Sequence, residues 1–261
     1  MTEFATYERR GSVGVITLNR PEARNAINGD VASALEACID RLEDEDGVWC
    51  GVLTANTEGQ NNPVFCAGAD LKAINSGNAS GLSTERGGFA GFVYRDRKKP
   101  VIVAVDGLAT AGGCEIVLAA DIVVASKNSA FGLAEVKRNL VAGAGGLFRL
   151  PRAIGKSAAM EVILTGDPLP AQRAYELGLV NRLTEPGKAL EAAIEIAEKI
   201  ATSAPLAVWE SRKIVNASQY EDDETLKKMS NSAMEIVMNS EDLKEGLTAF
   251  IEKRSPQWKG R

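Results

Sequence analysis

Two carboxylates stand where solubility does not call for them. Glu115 lies in residues 109–121 (ATAGGCEIVLAAD), where a glycine pair opens an otherwise apolar helix. Glu135 lies in residues 131–137 (FGLAEVK), just ahead of the glycine-dense run 141–146 (VAGAGG). A carboxylate held in an apolar site has its pKa raised towards neutrality, which suits it to acid or base work. A plainer reading stays open for each. Glu115 can stabilise a helix N-terminus, and Glu135 can be a surface carboxylate paired with Lys137 or Arg138. A third segment, residues 65–72 (FCAGADLK), passes from apolar to small to polar residues. Small residues let a ligand reach main-chain N–H groups, although an ordinary strand-to-helix turn has the same look.

Other chemistries are excluded by what is missing. The chain has no histidine, so no His-dependent triad exists. Cys38, Cys50, Cys66 and Cys114 form no C-x-x-C pair, so the common zinc spacings are absent and no metal is expected. The run GAGG at 143–146 does not follow the G-x-G-x-x-G spacing, and there is no Walker loop. With a net charge of −5 and its Lys and Arg dispersed, the chain carries no nucleic-acid footprint. The cluster Arg95, Arg97, Lys98 and Lys99 reads as a solvated helix end or a phosphate contact. Residues 1–10 lack an apolar stretch, and Asp106, Glu115 and Asp121 break the apolar region 101–125. Neither a secretory signal nor a membrane span is expected, and the cytoplasm is the expected setting.

The elements that must position these residues follow from periodicity. Residues 13–19 (VGVITLN) read as the first strand, ended by Pro21. A helix follows from Asp30 as N-cap, with Val31, Leu35, Cys38, Ile39 and Leu42 at helical spacing. Residues 49–54, 64–66, 101–105 and 121–125 are short apolar runs with helical segments between several of them, which implies an α/β core. After Asn181 only helical patterns are expected, dividing the chain into a core over 1–200 and a helical segment over 201–261. Residues 75–88, rich in Gly, Ser and Asn, are either a disordered excursion or a substrate-facing loop. No repeat matches at a fixed period.

Several motifs in order resemble the crotonase, or enoyl-CoA hydratase/isomerase, superfamily over nearly the whole chain. They are ITLNRPEARNAI, FCAGADLKA, KPVIVAVDGLATAGGCE, AADIVVAS, FGLAEVK, GAGGLFRLPRAIGKSAAMEVILTG, AYELGLVNR and AFIEKRSPQW. The resemblance implies a spiral of ββα units with a helical C-terminal segment used in trimerisation, commonly as a dimer of trimers. It implies an acyl-CoA substrate, no cofactor and no metal. Its oxyanion hole falls on the N–H groups of Ala69 and Gly112. Its CoA-binding stretch falls on Ala67, Gly68, Asp70, Leu71 and Lys72, largely through main chain. Its hydratases hold a water between two glutamates, matching Glu115 and Glu135, for syn addition to a 2-enoyl thioester. Both glutamates together favour a hydratase or dehydratase over Δ3,Δ2-enoyl-CoA isomerases, acyl-CoA hydrolases or a non-catalytic RNA- or assembly-binding homologue. Ala134 stands where the hydratases usually have proline, and Asn139 and Ala142 replace a usual glycine and proline. GGFAG at 87–91 and the ending EKRSPQWKGR resemble the carnitinyl-CoA dehydratase branch.

Overall fold

In the computed structural model, which describes residues 3–261, runs of β-branched and apolar residues build one large sheet buried on both faces. Strands β1 (Ala5–Arg10) and β2 (Val13–Leu18) form an antiparallel hairpin, followed by helix α1 (Gly29–Asp44) and strand β3 (Cys50–Ala55), parallel to β2. β1 precedes the strand expected to be first. It lies at the sheet edge, with Ala5 buried and Glu8, Arg9 and Arg10 exposed, and such a strand carries no two-sided apolar signature. α1 also starts earlier than expected: Asn28, not Asp30, is its N-cap, its side chain accepting from the Val31 N–H.

A pattern then recurs in which one strand joins the large sheet and the next crosses to a second sheet. β3 is followed by β4 (Val64–Cys66) and the short helix α2 (Leu71–Asn75), and a small hairpin of β5 (Ser83–Thr84) and β6 (Gly88–Phe89) follows. Then come β7 (Val101–Val105), β8 (Leu108–Thr110) and helix α3 (Gly112–Leu118). Strands β9 (Ile122–Ser126) and β10 (Ala130–Gly132) make the next pair, ahead of helices α4 (Gly146–Ile154) and α5 (Lys156–Thr165). β11 (Leu169–Pro170), helix α6 (Ala171–Glu176) and β12 (Arg182–Thr184) complete the sheets. The large sheet has the order β1-β2-β3-β7-β9-β12, and every pairing beyond the hairpin is parallel. The small sheet has the order β11-β10-β8-β4. Strands that stack in chain order while alternating between two sheets make the turns of a spiral. β12 corrects the expectation of helices alone after Asn181: it is short, at the sheet edge, and half exposed.

The two faces of the large sheet bury different partners because side chains alternate along each strand. Leu53, Val101, Val103 and Val105 join the main core with Phe65, Phe92, Phe131 and α1. Cys50, Val52, Ile102, Ala104 and Val124 face the other way, against Ala189, Ala193 and Ala197 of helix α7 (Ala189–Ala201). Three further helices follow: α8 (Pro205–Ala217), α9 (Asp223–Met238) and α10 (Glu241–Glu252). α8 is tied to the core by the Arg212–Asp121 ion pair at 2.8 Å and by Trp209, whose ring centroid lies 6.0 Å from that of Trp49. The chain end folds back so that Asp242 accepts from the N–H groups of Lys259 and Gly260 at 2.7 and 2.8 Å. Among the described residues, no helix is long and apolar enough to cross a membrane.

Candidate active site

β4 and β8 run side by side and end together, so the turns that follow them meet. After β4 the chain is held against residues 24–27: Ala67 N–H donates to Arg24 O at 3.1 Å, Ile27 N–H to Gly68 O at 2.8 Å and Asp70 N–H to Ile27 O at 2.8 Å. Asp70 caps α2 through the Lys72 N–H and pairs with Arg20 at 2.7 Å, whose guanidinium holds the carboxyl below its usual range. Its side chain is therefore spent on the turn. Gly68 has φ +84°, and a Cβ there would meet the Ala111 Cβ and the Gly112 N, each at 2.9 Å. No larger residue lets the two turns approach this closely.

The turn after β8 is strained. Ala111 has φ +51°, a region that L-residues rarely hold unless their surroundings enforce it, and its N–H is anchored on Gly132 O at 2.8 Å. α3 starts immediately afterwards. A Cβ at Gly113 would lie 2.1 Å from Cys66 O, so the second glycine of the pair is required by the neighbouring strand end. Among the described residues neither the Ala69 nor the Gly112 N–H donates to a protein acceptor. In the parallel bridge between Ile27 and Ala69, the bonds come from the flanking residues Gly68 and Asp70, and Gly112 is in the first turn of a helix, whose N–H groups have no intrahelical partner.

Glu115 emerges from that first turn, is 3% exposed, and accepts from the Gly146 N–H at the start of α4 at 2.9 Å. Burial pushes its carboxyl up to about 7, and nearby Glu135 adds to the rise while the Gly146 bond opposes it. Glu135 opens a short 3-10 turn, Glu135–Arg138, after β10. Burial raises its pKa too, with Arg138 working against the rise. Its Oε2 is buried with no hydrogen-bond partner among the described residues. Lys137 pairs instead with Asp167 at 2.6 Å, so the surface ion pair open to Glu135 on the sequence is not formed with Lys137. Asn139 ends the turn at φ +56°, a conformation asparagine tolerates, which accounts for its standing where glycine is usual.

These features share one cavity of about 870 Å³. Ala67, Ala69, Asp70, Leu71, Lys72, Gly112, Glu115 and Glu135 all line it, whereas Gly68 does not. Residues 79–89 contribute Leu82, Ser83, Gly88 and Phe89, so the Gly/Ser/Asn-rich stretch faces the cavity and carries a short 3-10 turn and a hairpin strand. Asn25 and Arg149 escaped the sequence reading. Asn25, 1% exposed, accepts from the Arg20 N–H and donates to Asn56 O and Val64 O. Arg149 donates to Ala144 O and Val93 O, holding the 143–146 loop over Glu115. A lone Asn or Arg inside a motif carries no signal of either task. The buried thiols of Cys66 and Cys114 are pushed up, Cys66 to about 12, so neither supplies a thiolate. No cluster of three metal-ligating side chains occurs among the described residues.

Residues 8–261 match the family model described as enoyl-CoA hydratase/isomerase. The chain belongs to the enoyl-CoA hydratase/isomerase family. Relatives of known structure repeat its fold: the crystal structure of enoyl-CoA hydratase from Mycobacterium tuberculosis is 46% identical, covers all of both chains and superposes with a TM-score of 0.92. The carnitinyl-CoA dehydratase of Proteus mirabilis is 39% identical over the full length of both chains. The short-chain-enoyl-CoA hydratase of Clostridium acetobutylicum is 38% identical over 95% of this chain and 94% of its own. The spiral and the C-terminal helices are thus those of the enoyl-CoA hydratase/isomerase family.

Proposed function

We propose that the chain is an enoyl-CoA hydratase, adding water reversibly and syn to a 2-enoyl-CoA to give a 3-hydroxyacyl-CoA. The observation that carries the reading is the meeting of a buried carboxyl, Glu115, and a half-buried one, Glu135, both with raised pKa values, and two unengaged N–H groups in one cavity. The N–H groups of Ala69 and Gly112 receive the thioester oxygen, where negative charge grows as the enolate forms. Donors placed this way contribute about 3–4 kcal/mol each to a transition state. Glu115 and Glu135 hold water over the β-carbon: one takes its proton while the other delivers a proton to the α-carbon. Only one of the two need be protonated, and Glu115, raised by burial to about 7, is poised to hold and release a proton near neutral pH. The CoA handle runs along residues 67–72, with Ala67, Gly68, Asp70, Leu71 and Lys72 shaping its path mainly through main chain.

Acid/base transfer to an enolate needs neither electron transfer nor a Lewis acid, so no cofactor or metal enters the scheme. The cytoplasm is the proposed setting. The proposed division is a spiral core over 1–200 and a trimerising helical segment over 201–261, with a homotrimer or a dimer of trimers as the assembly. Support comes from α7 packing on the large sheet, whereas α9 and α10 leave Met234, Met238, Leu247, Phe250 and Ile251 exposed. Full-length similarity to a carnitinyl-CoA dehydratase favours a second reading within the same chemistry, in which the physiological direction removes water. The test is product analysis with crotonyl-CoA. Hydration yields a 3-hydroxybutyryl-CoA heavier by one water; release of free CoA, or a shifted double bond from a 3-enoyl-CoA with no hydration, would replace this reading with hydrolysis or isomerisation.

A further inference from the structure

The cations around the cavity are not equivalent. Arg20 is taken by Asp70 at 2.7 Å, and Lys137 by Asp167 at 2.6 Å. Arg24 and Lys72 also line the cavity without a side-chain partner among the described residues, but they stand at the 67–72 turn, where Arg24 O accepts from Ala67 N–H and Lys72 lies in the first turn of α2, beside the proposed path of the CoA handle. Arg138 also lines the cavity, in the same 3-10 turn as Glu135 and followed by the exposed apolar Leu140 and Val141. Among the described residues Arg138 forms no hydrogen bond or ion pair, and it is close enough to Glu135 to oppose the rise in that residue's pKa. The part of the cavity built by the Glu135 turn therefore carries one uncommitted guanidinium beside an apolar strip.

Resting on the hydratase reading, we propose that Arg138 makes the cavity selective for 2-enoyl-CoA substrates whose acyl chain ends in a carboxylate, and that it disfavours chains bearing a fixed positive charge. A guanidinium presents a planar fork of donors that matches a carboxylate in bidentate geometry. A quaternary ammonium meets the same group with repulsion and nothing to accept its hydrogen bonds. Leu140 and Val141 cover the methylene segment between the double bond and the terminal charge. Specificity of this kind combines an attractive element for one chain and a repulsive one for the other.

Three probes share one reacting centre: crotonyl-CoA, its analogue with a terminal carboxylate (glutaconyl-CoA) and its analogue with a terminal trimethylammonium group (crotonobetainyl-CoA). Relative kcat/KM values are the readout, because any effect of Arg138 on Glu135 ionisation acts on all three substrates and cancels in the ratio. The protein is expected to favour the carboxylate over crotonyl-CoA by about tenfold, mainly through KM, and to disfavour the cation. Arg138→Gln should remove about that tenfold preference and raise the relative rate for the cation, while Arg138→Lys, which keeps the charge but not the fork, should still disfavour the cation and keep only part of the preference for the carboxylate. A carboxylate-to-crotonyl ratio at or below one, or a ratio unchanged in Arg138→Gln, overturns the proposal. If none of the three is hydrated, the hydratase reading has failed. Calorimetric binding of the same esters to the protein and to Arg138→Gln then decides the selectivity by the same ratios.

Discussion

Burial penalises the ionised form of Glu115 and leaves its protonated form almost untouched, which links the reaction to the stability of the fold. The folded-state pKa of about 7 stands above the ordinary 4.5, so between those values the folded chain keeps a proton that the unfolded chain has lost. Stability therefore falls as pH rises through that window, and the whole penalty is present above it. Glu115→Gln removes the charge and retains an oxygen for the Gly146 N–H. It is expected to unfold at a higher temperature than the parent at about pH 8, by at most roughly 3 kcal/mol of stability at about 1.4 per pKa unit. At about pH 4 the two proteins should unfold alike. Thermal unfolding at both pH values is the check, and a gain that persists undiminished at low pH would contradict the assignment.

At the scale of elements, the cavity depends on turns that the sequence describes only partly. Asn25 ties the turn before α1 to the ends of β3 and β4, and Ile27 in turn holds Gly68 and Asp70. Asn25→Ala would take this partner from one buried carbonyl, one half-buried carbonyl and one half-buried N–H, and is expected to destabilise the fold by roughly 2–4 kcal/mol, measured by urea unfolding. It should also raise KM for crotonyl-CoA more than it lowers kcat at a temperature where the variant is folded. Legibility follows burial. β3, β4, β7 and β9 were readable to within a residue because burial on both faces leaves unbroken apolar runs. β1 and β12 are edge strands with charged residues, and β8 (Leu108–Thr110) and β10 (Ala130–Gly132) are as short as β4 but lack its unbroken apolar run, ending in Thr110 and Gly132, so of the second sheet only β4 was visible. Glu115 and Glu135 stood out because a carboxylate in apolar surroundings is unusual. Ala69 and Gly112 could come only from motif resemblance, since a main-chain N–H leaves no side-chain signal. That Glu135 is free of Lys137 was decided by Asp167, thirty positions on and brought near by α5 and the turn after it.

At the scale of the whole molecule, the spiral brings the ends of β4, β8 and β10 to one cavity, while α9 and α10 present an apolar face with Phe250 85% exposed and Ile251 78% exposed. Apolar side chains left this exposed are expected to be covered by further copies of the chain. Phe250→Glu combined with Ile251→Glu should shift the protein to smaller species in analytical ultracentrifugation. An unchanged sedimentation profile would place the interface elsewhere. Hydration in this cavity depends above all on the carboxyl pair. Steady-state hydration of crotonyl-CoA by Glu115→Gln and by Glu135→Gln tests it most directly. Each variant is expected to lose kcat by about a hundredfold or more while KM stays within a few-fold and the fold is retained; hydration at the parental rate by either variant would contradict it.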